Sequence, residues 1–326
     1  MVDERVVGVR HTTATDGGRA PMTDDEPLRT DGGTLVERGD ASGPTDEPDV
    51  PAERDTTLEC EEVVLGYPEG EPVIDGESVS IPQGCVTALV GPNGSGKSTL
   101  LRGLSNQLTP DDGVVRLDGR AIQSLDTKEL ARKLGLLSQE NVSPSSITVE
   151  DLVLHGRYPH RGFFDSLTDE DECAVADALS LAGVDHLRDR EVGGLSGGQK
   201  QLAWIAMVLA QDTDVLLLDE PTTFLDLHHQ LEVMEIIETL KADSEVTIVL
   251  VLHDIDQAAR YADHVLALDD GSIYARGPPE EVITEDLLHD VFGVAATVEH
   301  TDRGPRVTAH NAVHDADGND LNTPST

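Results

Sequence analysis

Three groups of residues have types and spacings that can do chemistry. The first, Gly91-Pro92-Asn93-Gly94-Ser95-Gly96-Lys97-Ser98-Thr99, has the G-x-x-x-x-G-K-[ST] spacing. Its glycines let the backbone close round a polyphosphate with successive N–H groups pointing inward. Lys97 can then reach the β- and γ-phosphates, and the Ser98 hydroxyl suits a Mg²⁺ that keeps most of its water. The second group is Asp219-Glu220, which closes the apolar run 215–218. There Asp219 can hold the metal through water, and Glu220 can polarise an attacking water, a contribution of about 10²–10⁴-fold in rate. The third is Leu195-Ser196-Gly197-Gly198-Gln199, a glycine pair ahead of the helical run 201–210, and so a second amide-lined helix start able to grip phosphate.

The elements that must position these groups can be read from periodicity. The strand-like run 86–90 feeds the glycine loop directly, and a helical pattern begins at Leu100. Upstream, 57–65 and 72–81 read as strands separated by the turn 66–70. Downstream come a short strand at 113–117, a helix at 127–134 and an apolar strand at 134–138. Thr148-Val149-Glu150-Asp151 and Thr168-Asp169-Glu170-Asp171 each have capping-box spacing, and Gly183 can end the second helix. From Asp214 the chain alternates again, with strands at 215–218, 246–252, 265–268 and 272–275 and helices at 226–241 and 255–262. Such alternation implies a largely parallel α/β sheet, interrupted by a helical insertion over about 145–212.

Composition narrows the function classes. Of 326 residues 63 are acidic and 23 basic, a formal net charge of −40, and only five are lysine. The excess is not confined to the ends: residues 57–300 hold 45 acidic and 15 basic side chains, a net of −30. Long-range repulsion therefore disfavours nucleic acid as a partner. A Lys-poor acidic surface suits a halophilic cytoplasm, because the Debye length is only about 3 Å at 1 M salt. Cys60, Cys85 and Cys173 are scattered without metal-ligand spacing, which reads as reduced thiols. The adjacent His228 and His229 would point in different directions on a helix, a poor metal geometry. No run reaches the roughly 18 apolar residues of a membrane span. Residues 1–56 read as a disordered acidic leader and 301–326 as a disordered polar tail, since neither can bury enough apolar surface to offset ordering entropy.

The order of phosphate loop, Gln139 after an apolar strand, Leu195-to-Gln199, Asp219-Glu220, Asp226 and His253 resembles that of the ATP-binding subunits of ABC transporters over residues 57–300. The resemblance implies a P-loop NTPase core of α/β class, with a helical subdomain and an N-terminal antiparallel β subdomain. It implies ATP as substrate and Mg²⁺ as cofactor. Position by position, Tyr67 matches the aromatic residue on which adenine stacks, and Gln139 the residue that touches Mg²⁺ and the attacking water. Ser196 and Gly198 match residues that contact the γ-phosphate of ATP held by a second subunit. Asp226 matches the loop that crosses the dimer interface, and His253 the switch histidine at the γ-phosphate. One phosphate loop and one signature must face the same nucleotide, so two copies are expected to meet head to tail over two ATP molecules.

Two stretches, His155-Gly156-Arg157-Tyr158-Pro159-His160-Arg161-Gly162-Phe163-Phe164 and Pro221-Thr222-Thr223-Phe224-Leu225-Asp226-Leu227, are similar to those of ATPases that import iron-siderophore complexes, haem or vitamin B12. That subgroup implies a separate membrane permease, an extracellular substrate-binding protein acting through it, and a place on the cytoplasmic face of the membrane. Arg157, Tyr158 and Phe163 are expected permease contacts, with core packing as the alternative. Lys200 and Leu202 depart from the basic residues common after the signature. The competing classes are a soluble ABC ATPase of DNA repair or translation, and a regulatory module that holds ATP without turnover. The absence of long coiled-coil or zinc insertions and of a second cassette opposes the former, and Glu220 with His253 opposes the latter.

Overall fold

A computed structural model describes residues 56–313 apart from 69, 140, 142–143 and 163–165. The expected acidic leader, Thr56 excepted, lies outside the described residues, as do Phe163, Phe164 and the chain beyond 313. The first elements are β1 (Thr56–Gly66), β2 (Pro72–Pro82), β3 (Val86–Val90), α1 (Lys97–Leu104), β4 (Asp112–Leu117), β5 (Arg120–Ala121), α2 (Thr127–Lys133) and β6 (Leu134–Leu137). Three helices come next: α3 (Val149–Leu154), α4 (Asp169–Leu181) and α5 (Gly197–Leu209). The chain continues through β7 (Val215–Asp219), α6 (Leu227–Asp243), β8 (Thr247–Val251), α7 (Ile255–Tyr261), β9 (His264–Asp269) and β10 (Ser272–Gly277). The last are α8 (Pro279–Val282), α9 (Glu285–Asp290), β11 (Val294–Thr301) and β12 (Gly304–Ala312).

Six strands form one sheet in the order β10-β9-β3-β8-β7-β6, parallel except for β10, and β2-β1-β4-β5 form an antiparallel sheet. Every residue of β3, β7 and β8 is buried, which is why these strands read as continuous apolar runs. Their alternate residues feed two cores. Ala88, Leu216, Leu218, Ile248 and Leu250 pack with the helices of the 149–209 segment and with α6 and α7. Leu89, Val215, Leu217, Val249 and Val251 pack with α1 and the antiparallel sheet.

The helical insertion is delimited by its caps. Thr148 and Thr168 each make the capping box expected of them. The helix after the signature begins at Gly197 rather than 201, because Ser196 and Gln199 form a third capping box: the Gln199 N–H donates to Ser196 Oγ at 3.3 Å, and the Ser196 N–H to Gln199 Oε1 at 3.2 Å. Arg157 is also placed differently from the expected permease contact. It is 2% exposed; its Nε donates to Asp171 Oδ1 at 3.0 Å and its Nη1 to the Ala210 carbonyl at 3.0 Å. It ties α4 to the end of α5, whereas Tyr158 is 54% exposed.

The polar stretch from 301, expected as disordered, is instead the returning half of a hairpin through Ala312, with Val298 paired to Val307 and Thr297 to Thr308. Only one side of the hairpin meets the core, so its sequence carries little apolar content. Val307 packs against the helical core, and its N–H donates to Asp256 Oδ1 at 3.2 Å.

Candidate nucleotide site

Parallel pairing puts the carboxyl ends of β3, β8, β7 and β6 side by side. The residues at and just past each strand end share that edge: the glycine loop after β3, His253 after β8, Asp219-Glu220 at the end of β7 and Gln139 after β6. Open α/β sheets bind ligands along this edge.

Gly91 has φ 149°, and a Cβ there would lie 2.2 Å from the Leu268 carbonyl oxygen, so the loop tolerates no side chain at that point. Gly96, at φ 98°, is the left-handed N-cap that turns the chain into α1. Lys97 is 5% exposed, and its Nζ donates to the carbonyls of Gly91 (2.9 Å) and Pro92 (2.8 Å). Burial lowers the Lys97 pKa, and the charges of Glu220 and Asp219 oppose that shift. The Ser95 hydroxyl is buried without a partner, one donor in reserve within the loop. Pro92, Asn93 and Gly94 form the outer turn, in which the Ser95 N–H donates to the Pro92 carbonyl at 3.2 Å.

Ser98 Oγ donates to Asp219 Oδ1 at 3.0 Å, and Asp219 is 3% exposed. Burial raises the Asp219 pKa; the Ser98 hydrogen bond opposes that and the Glu220 charge adds to it. A hydroxyl and a carboxylate in contact at the mouth of an anion cradle are the hard oxygen donors that Mg²⁺ takes, so these residues fit that ion. A cleft of about 260 Å³ lined by Arg102, Ser138, Gln139 and Asp219 opens beside them.

Three side chains converge on Glu220. Its Oε1 lies 2.6 Å from His253 Nε2, and its Oε2 accepts from Gln139 Nε2 at 2.7 Å and from Thr223 Oγ1 at 3.1 Å. The Glu220 backbone is left-handed, with φ 53°. Tyr67 sits at the start of α1: its hydroxyl is 3.3 Å from Thr99 Oγ1 and accepts from Arg102 Nη1 at 2.9 Å, and the residue is 41% exposed.

The remaining expected residues form a second group. A Cβ on Gly198 would lie 2.3 Å from the His229 ring, and His229 Nδ1 is 2.8 Å from Asp226 Oδ1. Asp226 also caps α6 by accepting from the His229 N–H at 3.0 Å, and these bonds hold its pKa below the usual carboxylate range. Ser196, Gly197, Gly198 and Gln199 are thus linked to Asp226 through His229. Among the described residues no hydrogen bond joins this group to the phosphate loop. Thr223, Arg102 and His229 were not legible from the sequence: Thr223 reaches Glu220 only through the left-handed turn between them, Arg102 meets Tyr67 across 35 positions, and His229 packs against Gly198 of another helix.

Among the described residues no helix is long and apolar enough to cross a membrane. A family model described as ABC transporter matches residues 74–223. The chain is 48% identical to the ferric enterobactin transport ATP-binding protein FepC of Escherichia coli strain K12 over 241 residues, 74% of this chain and 89% of that protein. It is 41% identical to the iron(3+)-hydroxamate import ATP-binding protein FhuC of Bacillus subtilis strain 168 over 242 residues, 74% of this chain and 90% of that protein. Its fold is similar to that of a metal-chelate type ABC transporter solved in an inward-facing conformation, with a TM-score of 0.67 and 27% identity, covering 78% of this chain and 97% of the other. With a phosphate cradle, a strand-end acid pair and relatives at this level of identity over almost their whole length, the chain belongs to the ATP-binding subunits of ABC transporters, which are ATPases.

Proposed function

We propose that two copies of this chain close head to tail over two ATP molecules and that hydrolysis drives import of an iron chelate through a separate permease. The observation that carries the dimer is the division of the site: phosphate loop, Asp219 and Glu220 in one group, Ser196 and Gly198 in another. A second copy would supply the missing half. Closure would then depend on ATP and relax on hydrolysis. The names of the relatives, which specify ferric enterobactin, petrobactin, iron(3+)-hydroxamate and hemin, support an iron chelate over vitamin B12.

Within the pocket Lys97 exchanges its two carbonyl partners for phosphate oxygens, and the loop N–H groups and the α1 N-terminus hold the rest of the polyphosphate. Tyr67 offers its exposed ring to adenine. Ser98 and Asp219, with Gln139, would hold Mg²⁺, which when bound neutralises charge on the β- and γ-oxygens. Glu220 orients and polarises the attacking water, and His253 faces the γ-phosphate. An extracellular binding protein delivers the cargo, and this subunit works on the cytoplasmic face of the membrane without nucleic acid as a partner.

Ser196→Asp tests the shared site, because aspartate keeps the helix cap while setting a negative charge against the γ-phosphate. ATP affinity of the dilute chain stays within about twofold, while turnover falls about 10²-fold or more. Wild-type turnover per chain rises with protein concentration. A rate per chain indifferent both to concentration and to Ser196→Asp would refute the shared site. For the cargo, a deletion strain loses growth on iron chelates and keeps its response to cobalamin; the reverse pattern would assign vitamin B12.

We also infer adaptation to a salt-rich cytoplasm from the net charge of −40. Diluting salt tenfold from molar concentration lengthens the Debye length and unscreens the acidic surface, lowering the melting temperature by about 5 °C or more. Unchanged melting would remove the inference.

A further inference from the structure

The backbone just past Glu220 is held in an unusual way. Glu220 (φ 53°) and Phe224 (φ 62°) both adopt left-handed conformations, which for residues other than glycine persist only where the surroundings over-determine them. The surroundings here are three half-buried glutamines, each from a different helix. From α5, Gln201 Nε2 donates to the Pro221 carbonyl at 3.0 Å. From α6, Gln230 Nε2 donates to the carbonyls of Thr222 (3.4 Å) and Leu225 (3.1 Å). From α7, Gln257 Oε1 accepts from Thr222 Oγ1 at 3.1 Å, and its Nε2 donates to Gln230 Oε1 at 3.4 Å. Thr222, Gln257 and Gln230 therefore close a ring: the Thr222 hydroxyl donates to Gln257, Gln257 to Gln230, and Gln230 back to the Thr222 backbone carbonyl, and Thr222 is only 7% exposed.

The three helices are not arbitrary supports. Helix α5 starts at the signature, α6 starts after Asp226, and α7 starts two residues after His253. We infer that Gln201, Gln230 and Gln257 are positioning residues for ATP hydrolysis: they clamp the strap 221–225, set the left-handed turn that aims the Glu220 carboxylate, and tie it to the three helix starts that carry the other nucleotide-facing residues. His253 and Gln139 reach the Glu220 carboxylate from neighbouring strand ends, while the turn beyond the strand sets its backbone direction and places Thr223, the third partner, so the aim of the carboxylate depends on that turn. Small misplacements of a reacting group cost large factors in rate without touching ground-state binding. The inference rests on Glu220 acting on the attacking water.

The test uses the full-length protein and steady-state ATPase kinetics. Thr222→Val keeps the shape of the side chain but removes the donor to Gln257, and Gln230→Leu removes both carbonyl contacts. Each lowers kcat by about 10–100-fold with KM for ATP within about twofold of wild type. Thr222→Ser retains the hydroxyl and restores kcat. Wild-type kcat in Thr222→Val, a loss confined to KM, or an equal loss in Thr222→Ser overturns the clamp. Should Gln230→Leu fail to fold, the Thr222 pair decides alone. Full-speed turnover in Glu220→Gln would retire the role of Glu220 itself, whereas an inactive Glu220→Gln beside a full-speed Thr222→Val would retire only the clamp.

Discussion

Glu220→Gln turns over ATP about 10³-fold more slowly than the wild-type chain and accumulates as an ATP-bound dimer. Both oxygens of the native carboxylate accept: Oε1 faces His253 Nε2, and Oε2 takes hydrogen bonds from Gln139 and Thr223. A glutamine at this position keeps one acceptor and presents an NH₂ group on the other side, so the two acceptor oxygens that face Gln139 and His253 are no longer both available. It also loses the charge needed to polarise water. The substitution breaks no hydrogen bond of Lys97 and lies outside the glycine loop proposed to hold the polyphosphate, and Asp219 still opposes the lowering of the Lys97 pKa, so binding and closure are expected to survive while the chemical step does not. Phosphate release measured alongside gel filtration with ATP reads both effects. Near-normal phosphate release, or a variant that stays monomeric with ATP, is the contrary result.

Arg157→Ala destabilises the helical segment by about 3–5 kcal/mol, a large share of the stability of any domain. Arg157 and its partner Asp171 have side chains 2% and 4% exposed, 3.0 Å apart, and the guanidinium also satisfies the Ala210 carbonyl at the end of α5. Removing the cation leaves a buried carboxylate and a buried carbonyl without their donor. The same pair carries a pH dependence whose sign comes from Asp171. Burial alone would raise its pKa, but the hydrogen bonds from Arg157 and Thr168 outweigh burial and hold it below the usual carboxylate range. A depressed carboxylate adds stability above its unfolded pKa and loses it as pH falls through the folded value. Wild-type melting therefore falls on acidification below about pH 4, and Arg157→Ala loses that part of the acid sensitivity. Thermal melts of the two proteins at neutral and acid pH measure this, and a variant that melts like wild type would mean that Arg157 is not structural.

The site was legible in the sequence wherever its logic is local. Gly91 to Thr99 form a cradle because glycine alone fits against the Leu268 carbonyl and at the left-handed N-cap, and that requirement is written in consecutive residues. The burial of β7 and the acids at its end are likewise one short pattern. The same holds for Ser196 and Gln199, although there the periodic run 201–210 concealed a helix that begins at the signature itself, because a capping box recruits the glycines as its first turn.

Other features were hidden because they depend on which strands become neighbours. Gln139 and Glu220 are 81 positions apart and meet only because β6 and β7 pair in parallel. Arg157, set in a cluster of aromatic and basic residues, has the composition of an exposed contact, yet its partner Asp171 lies across a turn and in a different helix. The chain after 301 lacks apolar period because its hairpin is held largely by backbone pairing and by helix carboxylates, Asp256 accepting from the Val307 N–H and Glu285 from the Val298 N–H, with few of its side chains buried.

The order of amino acids along the chain determined the local pieces: a glycine-lined loop with its lysine and hydroxyl, an acid pair at a strand end and a capped helix start at the signature, each defined by backbone sterics over fewer than ten residues. How those pieces meet was settled at the level of the folded chain. There Gln139, His253 and Thr223 converge on Glu220, three glutamines hold the turn beneath it, and the signature sits with Asp226 rather than with the phosphate loop. These meetings depend on sheet order and helix packing. Periodicity sets which face of an element is apolar, but the order in which strands pair decides which polar side chains share an edge.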